Sequence, residues 1–166
     1  MSVYYLYETV EIYASVEENN FYKDKIIVDK IPFICTRYKG LVANLFWKLL
    51  DRKCYVCAIV GEENVIKHYS YVMRKSPKFP FMRKNDYMIG PSVTMENYRG
   101  QGLFPRVIRF VINKIKTEGP DVRLVALVRE DNYASRSAFE KVGMQWLGKR
   151  FVKNKYKVYY EIKDLQ

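Results

Sequence analysis

Along this chain the apolar positions change period several times, and each change predicts a new element. Residues 25–31, KIIVDKI, and part of the tyrosine-rich start, MSVYYLYETVEIYASVEENN, read as short strands. Leu41, Leu45, Trp47, Leu49 and Leu50 fall within a helix-length block, GLVANLFWKLLDRK, which predicts a helix over 40–53. CYVCAIVG is a dense apolar run closed by Gly61, and VIKHYSYVM alternates as an antiparallel neighbour would across EEN. SPKFPFMRKND contains two prolines and reads as an irregular loop. YMIGPSVTM predicts a strand bent or bulged at Gly90-Pro91, because proline cannot donate to a ladder.

The period then lengthens. In LFPRVIRFVINKIK, Phe104, Val107, Ile108, Val111, Ile112 and Ile115 share one helical face, opposite Arg106, Arg109, Lys114 and Lys116. Pro105 suits a first turn, where its missing N–H has no intrahelical partner. VRLVALV predicts a buried strand. DNYASRSAFEKVG predicts a second helix, with Asp131 as its cap and Gly143 as its end. FVKNKYKVYYEI reads as a final hairpin or one long strand. Strands followed by strand–loop–helix–strand–helix–strand predict an α+β fold on a mixed sheet.

Composition narrows the class. A chain of 166 residues, 49% hydrophobic and 28% charged, fits one domain over 1–166. Its start lacks the basic opening and apolar centre of a signal peptide, and runs such as GLVANLFWKLL are too short to span a bilayer. The expectation is a soluble, cytoplasmic protein. The three cysteines fit a reducing compartment better than a disulfide framework. Cys54 and Cys57 form a lone C-x-x-C on a strand, where positions three apart face opposite sides, so buried thiols are expected and no metal site. Neither they nor Cys35 has a histidine pattern for covalent catalysis.

A balance of 29 Lys and Arg against 18 Asp and Glu gives +11, which favours an anionic partner. Nucleic acid, an acidic membrane surface and a phosphorylated small molecule all satisfy that charge. The aromatic content of 16% suits base stacking, strands or cores alike. With no nucleic-acid-binding motif in the chain, nucleic acid is the disfavoured member of the three.

The candidate chemistry centres on ENYRGQGLFP, Glu96 to Pro105, between an apolar strand and an amphipathic helix. Gly100 and Gly102 can serve a surface turn. They can equally let backbone N–H groups converge on a phosphate at the positive end of the following helix. The segment is not a Walker loop, since no Gly-Lys-Ser/Thr ending follows. It is not a dinucleotide fingerprint either, because a third glycine and the ribose-binding acid are missing.

Here the sequence resembles the GNAT superfamily of acyl-CoA-dependent N-acyltransferases, which carry Gln/Arg-x-x-Gly-x-Gly/Ala between the fourth strand and the next helix. Arg99 and Gly102 match the first two fixed positions, and Phe104 departs at the third. A second resemblance lies in NYASRSAFEKVGM, similar to the family's asparagine, a small residue three on, then aromatic-x-Lys-x-Gly-hydrophobic. Together the two motifs cover residues 87–146. The resemblance implies a single-domain, splayed mixed sheet flanked by helices, with acetyl-CoA between two diverging parallel strands and no metal. It further implies that the backbone of Ser92, Val93 and Thr94 pairs with the pantetheine arm. Arg99, Gly100, Gln101, Gly102, Leu103 and Phe104 would surround the pyrophosphate, and Asn132 would contact the co-substrate. Phosphate charge also favours Arg106 nearby, whereas Arg109 and Lys116 read as a solvated helix face.

The implied reaction is attack of a primary amine on the thioester, which needs a neutral amine and a stabilised leaving thiolate. Where many family members place an acidic tyrosine, this chain has Phe139. His68, the sole histidine, and Glu96, just past a strand end, are alternative general bases. A basic cleft favours an anionic acceptor, such as an amino sugar or a nucleotide-linked amino sugar. The alternatives are a non-catalytic acyl-CoA-binding or sensing domain and a basic nucleic-acid-binding protein. Acyl-chain preference and oligomeric state are not encoded in any motif.

Overall fold

The computed structural model describes residues 2–9, 24–30, 54–119 and 121–162. The predicted helix at 40–53 and Cys35 lie outside the described residues.

Among the described residues, eight strands and two α-helices follow in order: β1 (Val3–Thr9), β2 (Lys25–Lys30), β3 (Tyr55–Val60), β4 (Ile66–Arg74), β5 (Tyr87–Thr94), α1 (Leu103–Lys116), β6 (Leu124–Arg129), α2 (Tyr133–Glu140), β7 (Met144–Lys153) and β8 (Tyr159–Ile162). The strands form one sheet in the order β2-β3-β4-β5-β6-β1-β7-β8. Among the described strands only β5 and β6 pair in parallel; the other neighbours are antiparallel. The mixed α+β sheet predicted by the element order is therefore present, and the C-terminal segment forms a hairpin.

The pairing of β5 with β6 is short, and this shapes the molecule. It covers Tyr87–Leu124 and Met88–Val125 only, after which the two strands separate. β5 stays bonded to β4 as far as Thr94, with a register shift between Ser70 and Val72 opposite the Gly90-Pro91 step. Pro91 has no N–H to offer a neighbour. The free edge of β5 thus borders a wedge-shaped opening in the sheet.

The closed end of that wedge is held by charge. Arg123, just before β6, donates to both oxygens of Asp86, just before β5, and to Glu8 on β1. Asp86 is fully buried and Glu8 nearly so. Burial opposes the Arg123 charge, but its hydrogen bonds and proximity to Asp86, then Glu8, prevail and raise its pKa.

The helices cover one face of the sheet. Leu103, Val107, Ile108, Val111, Ile112 and Ile115 of α1 are buried among Tyr7, Cys57, Ile59, Val72 and Ile89. Phe104, predicted on the buried stripe, is only partly buried and turns toward the wedge, while Leu103 takes the core position. On the other face Leu6, Cys54, Met88, Val125 and Phe151 pack beneath Phe79 and Met82 of the loop 75–86. Cys54 and Cys57 thus lie in opposite cores, and burial pushes the Cys57 thiol up to about 12.

The cap of α2 differs from expectation. Asn132, not Asp131, accepts the Ser135 N–H through its side chain at 3.1 Å. Asp131 instead pairs with Arg129. An Asp two positions after a strand arginine finds a full charge nearby, which outbids a backbone N–H for its carboxylate.

Candidate active site

Where β5 and β6 part, the first turn of α1 and the N-terminus of α2 overhang the wedge and enclose a cleft of about 790 Å³. Ser92, Val93 and Thr94 line it from β5, and Arg99, Gly100, Gln101, Gly102, Leu103 and Phe104 from the loop and the start of α1. Asn132 lines it from the cap of α2, and His68 from β4. Residues 92–104 meet Asn132 here because the crossover through α1 brings β6 back parallel to β5, so both strands end at the open side of the wedge.

The loop has the local chemistry of an anion site. Gly100 and Gly102 have φ of +77° and +70°, the left-handed region that favours glycine. A Cβ at either position would meet no protein atom within 4 Å. Backbone conformation, not crowding by the protein, selects glycine there. Gly102 is also the N-cap of α1, so no side chain caps the helix. The first turn holds no acidic residue, and its uncapped N–H groups carry the positive end of the helix dipole. Pro105 lies inside that turn, as its sequence position predicted, and withdraws one donor.

Beneath the cleft lies a hydroxyl–imidazole chain. His68 is 1% exposed. Its Nδ1 is 2.7 Å from Thr94 Oγ1 and its Nε2 is 2.8 Å from Ser70 Oγ. Ser70 in turn donates to Ser92 Oγ at 2.8 Å. Each ring nitrogen therefore has one hydroxyl partner, and the tautomer sets which of the two nitrogens donates. Desolvation lowers the His68 pKa to about 4, so the ring is neutral near pH 7. It stacks on Phe104, with centroids 5.3 Å apart. Phe104 meets Phe139 edge-on at 5.2 Å, and Phe139 stacks on Tyr7 at 5.8 Å. Phe139 is buried in this aromatic row, which joins β4 to β1.

Two other candidates lie apart. Glu96 is exposed, sits 3.8 Å from Arg99 and does not line the cleft. Arg106, favoured on charge as a phosphate neighbour, donates to the Asp24 carbonyl at 2.8 Å and is not part of the lining either. The cleft adds residues to which the sequence had assigned no role, among them Tyr98, Ser135, Ser137 and Lys141. Ser70 was legible in principle, because residues two apart on a strand share a face, and His68 is two positions away. Lys141 stood within the second motif without an assigned role.

Among the described residues, no group of His, Cys, Asp and Glu is placed to hold a metal, and no helix is long and apolar enough to cross a membrane.

Comparison with known proteins agrees with the fold. The model of the FR47-like family, which is GNAT-related, matches residues 81–152, spanning β5, both helices and most of β7. No curated protein sequence matches significantly. An acetyltransferase of the GNAT family from Colwellia psychrerythraea superposes over 98% of this chain with a TM-score of 0.64 and 14% identity. The match spans only 57% of that longer protein. A Bacillus halodurans protein superposes over 63% of this chain and 68% of its own, with a TM-score of 0.50 and 20% identity. The chain is thus a GNAT-fold protein, with an FR47-like sequence over residues 81–152.

Proposed function

We propose that the chain is an N-acetyltransferase that moves an acetyl group from acetyl-CoA to a primary amine by direct attack within a ternary complex. The observation that carries this reading is the convergence of an unpaired strand edge and an uncapped, acid-free helix N-terminus on one cleft. A pantetheine arm has amides that can add to the free edge of β5 at Ser92–Thr94. A pyrophosphate suits the N–H groups of Gly100–Phe104, with Arg99 and Gln101 beside it. Asn132 spends its side-chain oxygen on the α2 cap, which leaves its amide N–H₂ for the co-substrate.

In the reaction the amine nitrogen bonds to the acyl carbon, the C–S bond breaks, and a proton leaves the nitrogen. His68 is poorly suited to accept that proton, since both ring nitrogens already have partners and its basicity is low. Glu96 would have to act from outside the cleft. Loss of the proton to water, or entry of a neutral amine, fits these surroundings better. The reading for the acceptor is an anionic amine, an amino sugar or nucleotide-linked amino sugar, supported by the +11 charge. A cytoplasmic location accords with the proposed chemistry.

A second reading is a non-catalytic acyl-CoA sensor, favoured by the buried, hydroxyl-free Phe139 and the low basicity of His68. Incubation of acetyl-CoA with a panel of primary amines decides between them. Amine-dependent release of free thiol, with acetylated product by mass spectrometry, is expected. Saturable acetyl-CoA binding with no turnover across the panel supports the sensor.

A further inference from the structure

Away from the cleft, two segments gather positive charge without any negative charge. Residues 75–85 and 144–160 together hold nine of the 29 Lys and Arg and none of the 18 Asp and Glu. The first is the loop before β5; the second is β7 with the turn into β8. The fold brings them together. Tyr159 N–H donates to the Lys78 carbonyl at 3.4 Å, and the rings of Phe79 and Tyr159 stack at 5.5 Å. Phe81 packs on Phe151 with centroids 4.6 Å apart. Lys78 is held close enough to Lys153 and Lys157 that burial first, then the two like charges, lower its pKa. Neither these three lysines nor Lys155 forms an ion pair among the described residues.

The turn that joins β7 to β8 is built to hold its tip in place. Asn154 Oδ1 accepts the N–H groups of Tyr156 and Val158, and the Asn154 N–H donates to the Val158 carbonyl. This geometry presents Lys155, Tyr156 and Lys157 together, with Tyr156 72% exposed and the Lys155 ammonium 4.9 Å from its ring. Clustered ammoniums attract any polyanion. A rigidly presented, exposed aromatic ring among them narrows the partner to one with flat faces to stack. A duplex hides its base faces, whereas a single strand offers them.

We propose that the surface formed by Lys78, Lys153, Lys155, Tyr156 and Lys157 binds single-stranded nucleic acid, with phosphates on the lysines and a base stacked on Tyr156. None of these residues lines the cleft, so the proposal stands apart from the acyltransferase reading.

The test is fluorescence anisotropy with a labelled single-stranded RNA and a DNA of the same mixed sequence. Four phosphate contacts on a single strand give a logarithmic salt slope of about −3, so affinity should fall about fifty-fold between 50 and 200 mM salt. Lys153→Glu/Lys157→Glu should weaken binding at least about ten-fold, and Tyr156→Ala about five-fold or more. Thermal unfolding of each variant confirms that it is folded, and acetyl-CoA binding should be unchanged. Absence of binding at 50 mM salt overturns the proposal. So does duplex binding as tight as single-strand binding, or competition by polyglutamate with no effect of Tyr156→Ala. Retained affinity in a folded Lys153→Glu/Lys157→Glu variant also overturns it.

Discussion

His68 shows how a single side chain changes meaning with burial. In water an imidazole is half-protonated near pH 6.5, which makes it a natural candidate base. Between Thr94 and Ser70 it is desolvated and its pKa drops to about 4. The folded state then binds fewer protons than the unfolded chain between pH 6.5 and 4. Stability from this group is therefore complete above pH 6.5 and falls as the pH drops to about 4, by about 3 kcal/mol in total. Urea unfolding from pH 7 to 4.5 should show this slope, and His68→Gln should flatten it. Were His68 the base, the acidic limb of kcat/KM would lie near pH 4 and vanish in the same variant. A limb that persists in His68→Gln belongs to another group. The candidacy of His68 followed from its type and strand, but its pKa follows from burial, and its two hydrogen-bond partners lie 2 and 26 positions away.

At the scale of elements, the wedge depends on how three segments are tied at its closed end. Arg123, Asp86 and Glu8 join the starts of β5 and β6 to β1. Asp86→Asn keeps the volume but removes the charge facing Arg123. Breaking a buried pair from one side costs about 3–5 kcal/mol, because the surviving charge stays buried. The urea midpoint should fall accordingly; a loss below about 1 kcal/mol would show that the triad does not hold the wedge. The strand β1 enters between β6 and β7, antiparallel to both. Its tyrosine-rich run predicted a strand, yet nothing in that run named its neighbours. Pairing across more than a hundred residues is decided by which edges the rest of the fold leaves open. For α1 the reverse holds: its apolar stripe and Pro105 fixed both its extent and its buried face, apart from the exchange of Phe104 for Leu103.

For the whole molecule, the central prediction is linkage between ligand and stability. A ligand that binds only the native state at a hundred times its dissociation constant adds about 2.7 kcal/mol. For a chain of this size, that should raise Tm by about 5–10 °C with acetyl-CoA. Differential scanning fluorimetry reads it directly, and no shift at millimolar acetyl-CoA would remove the assignment of the cleft. The same measurement on the nucleic-acid-surface variants should give the parental shift, since the two sites share no residue.

Over the described residues the sequence by itself determined most of the local elements and the glycine loop. Period two or 3.6, proline without a donor and glycine at positive φ are short-range properties that travel with the residues. It also named ten candidate co-substrate residues, seven in the two motifs and three on the strand before them, and all ten line one cleft. Only the tertiary structure decided that Glu96 faces solvent, that Asn132 rather than Asp131 caps α2, and that Arg106 turns to Asp24. Those outcomes depend on competition among partners brought together by folding. The gathering of Lys78 with Lys153 and Lys157 is of the same kind. Charge in a sequence has a sign and a position along the chain, and its direction in space exists only once the chain has folded.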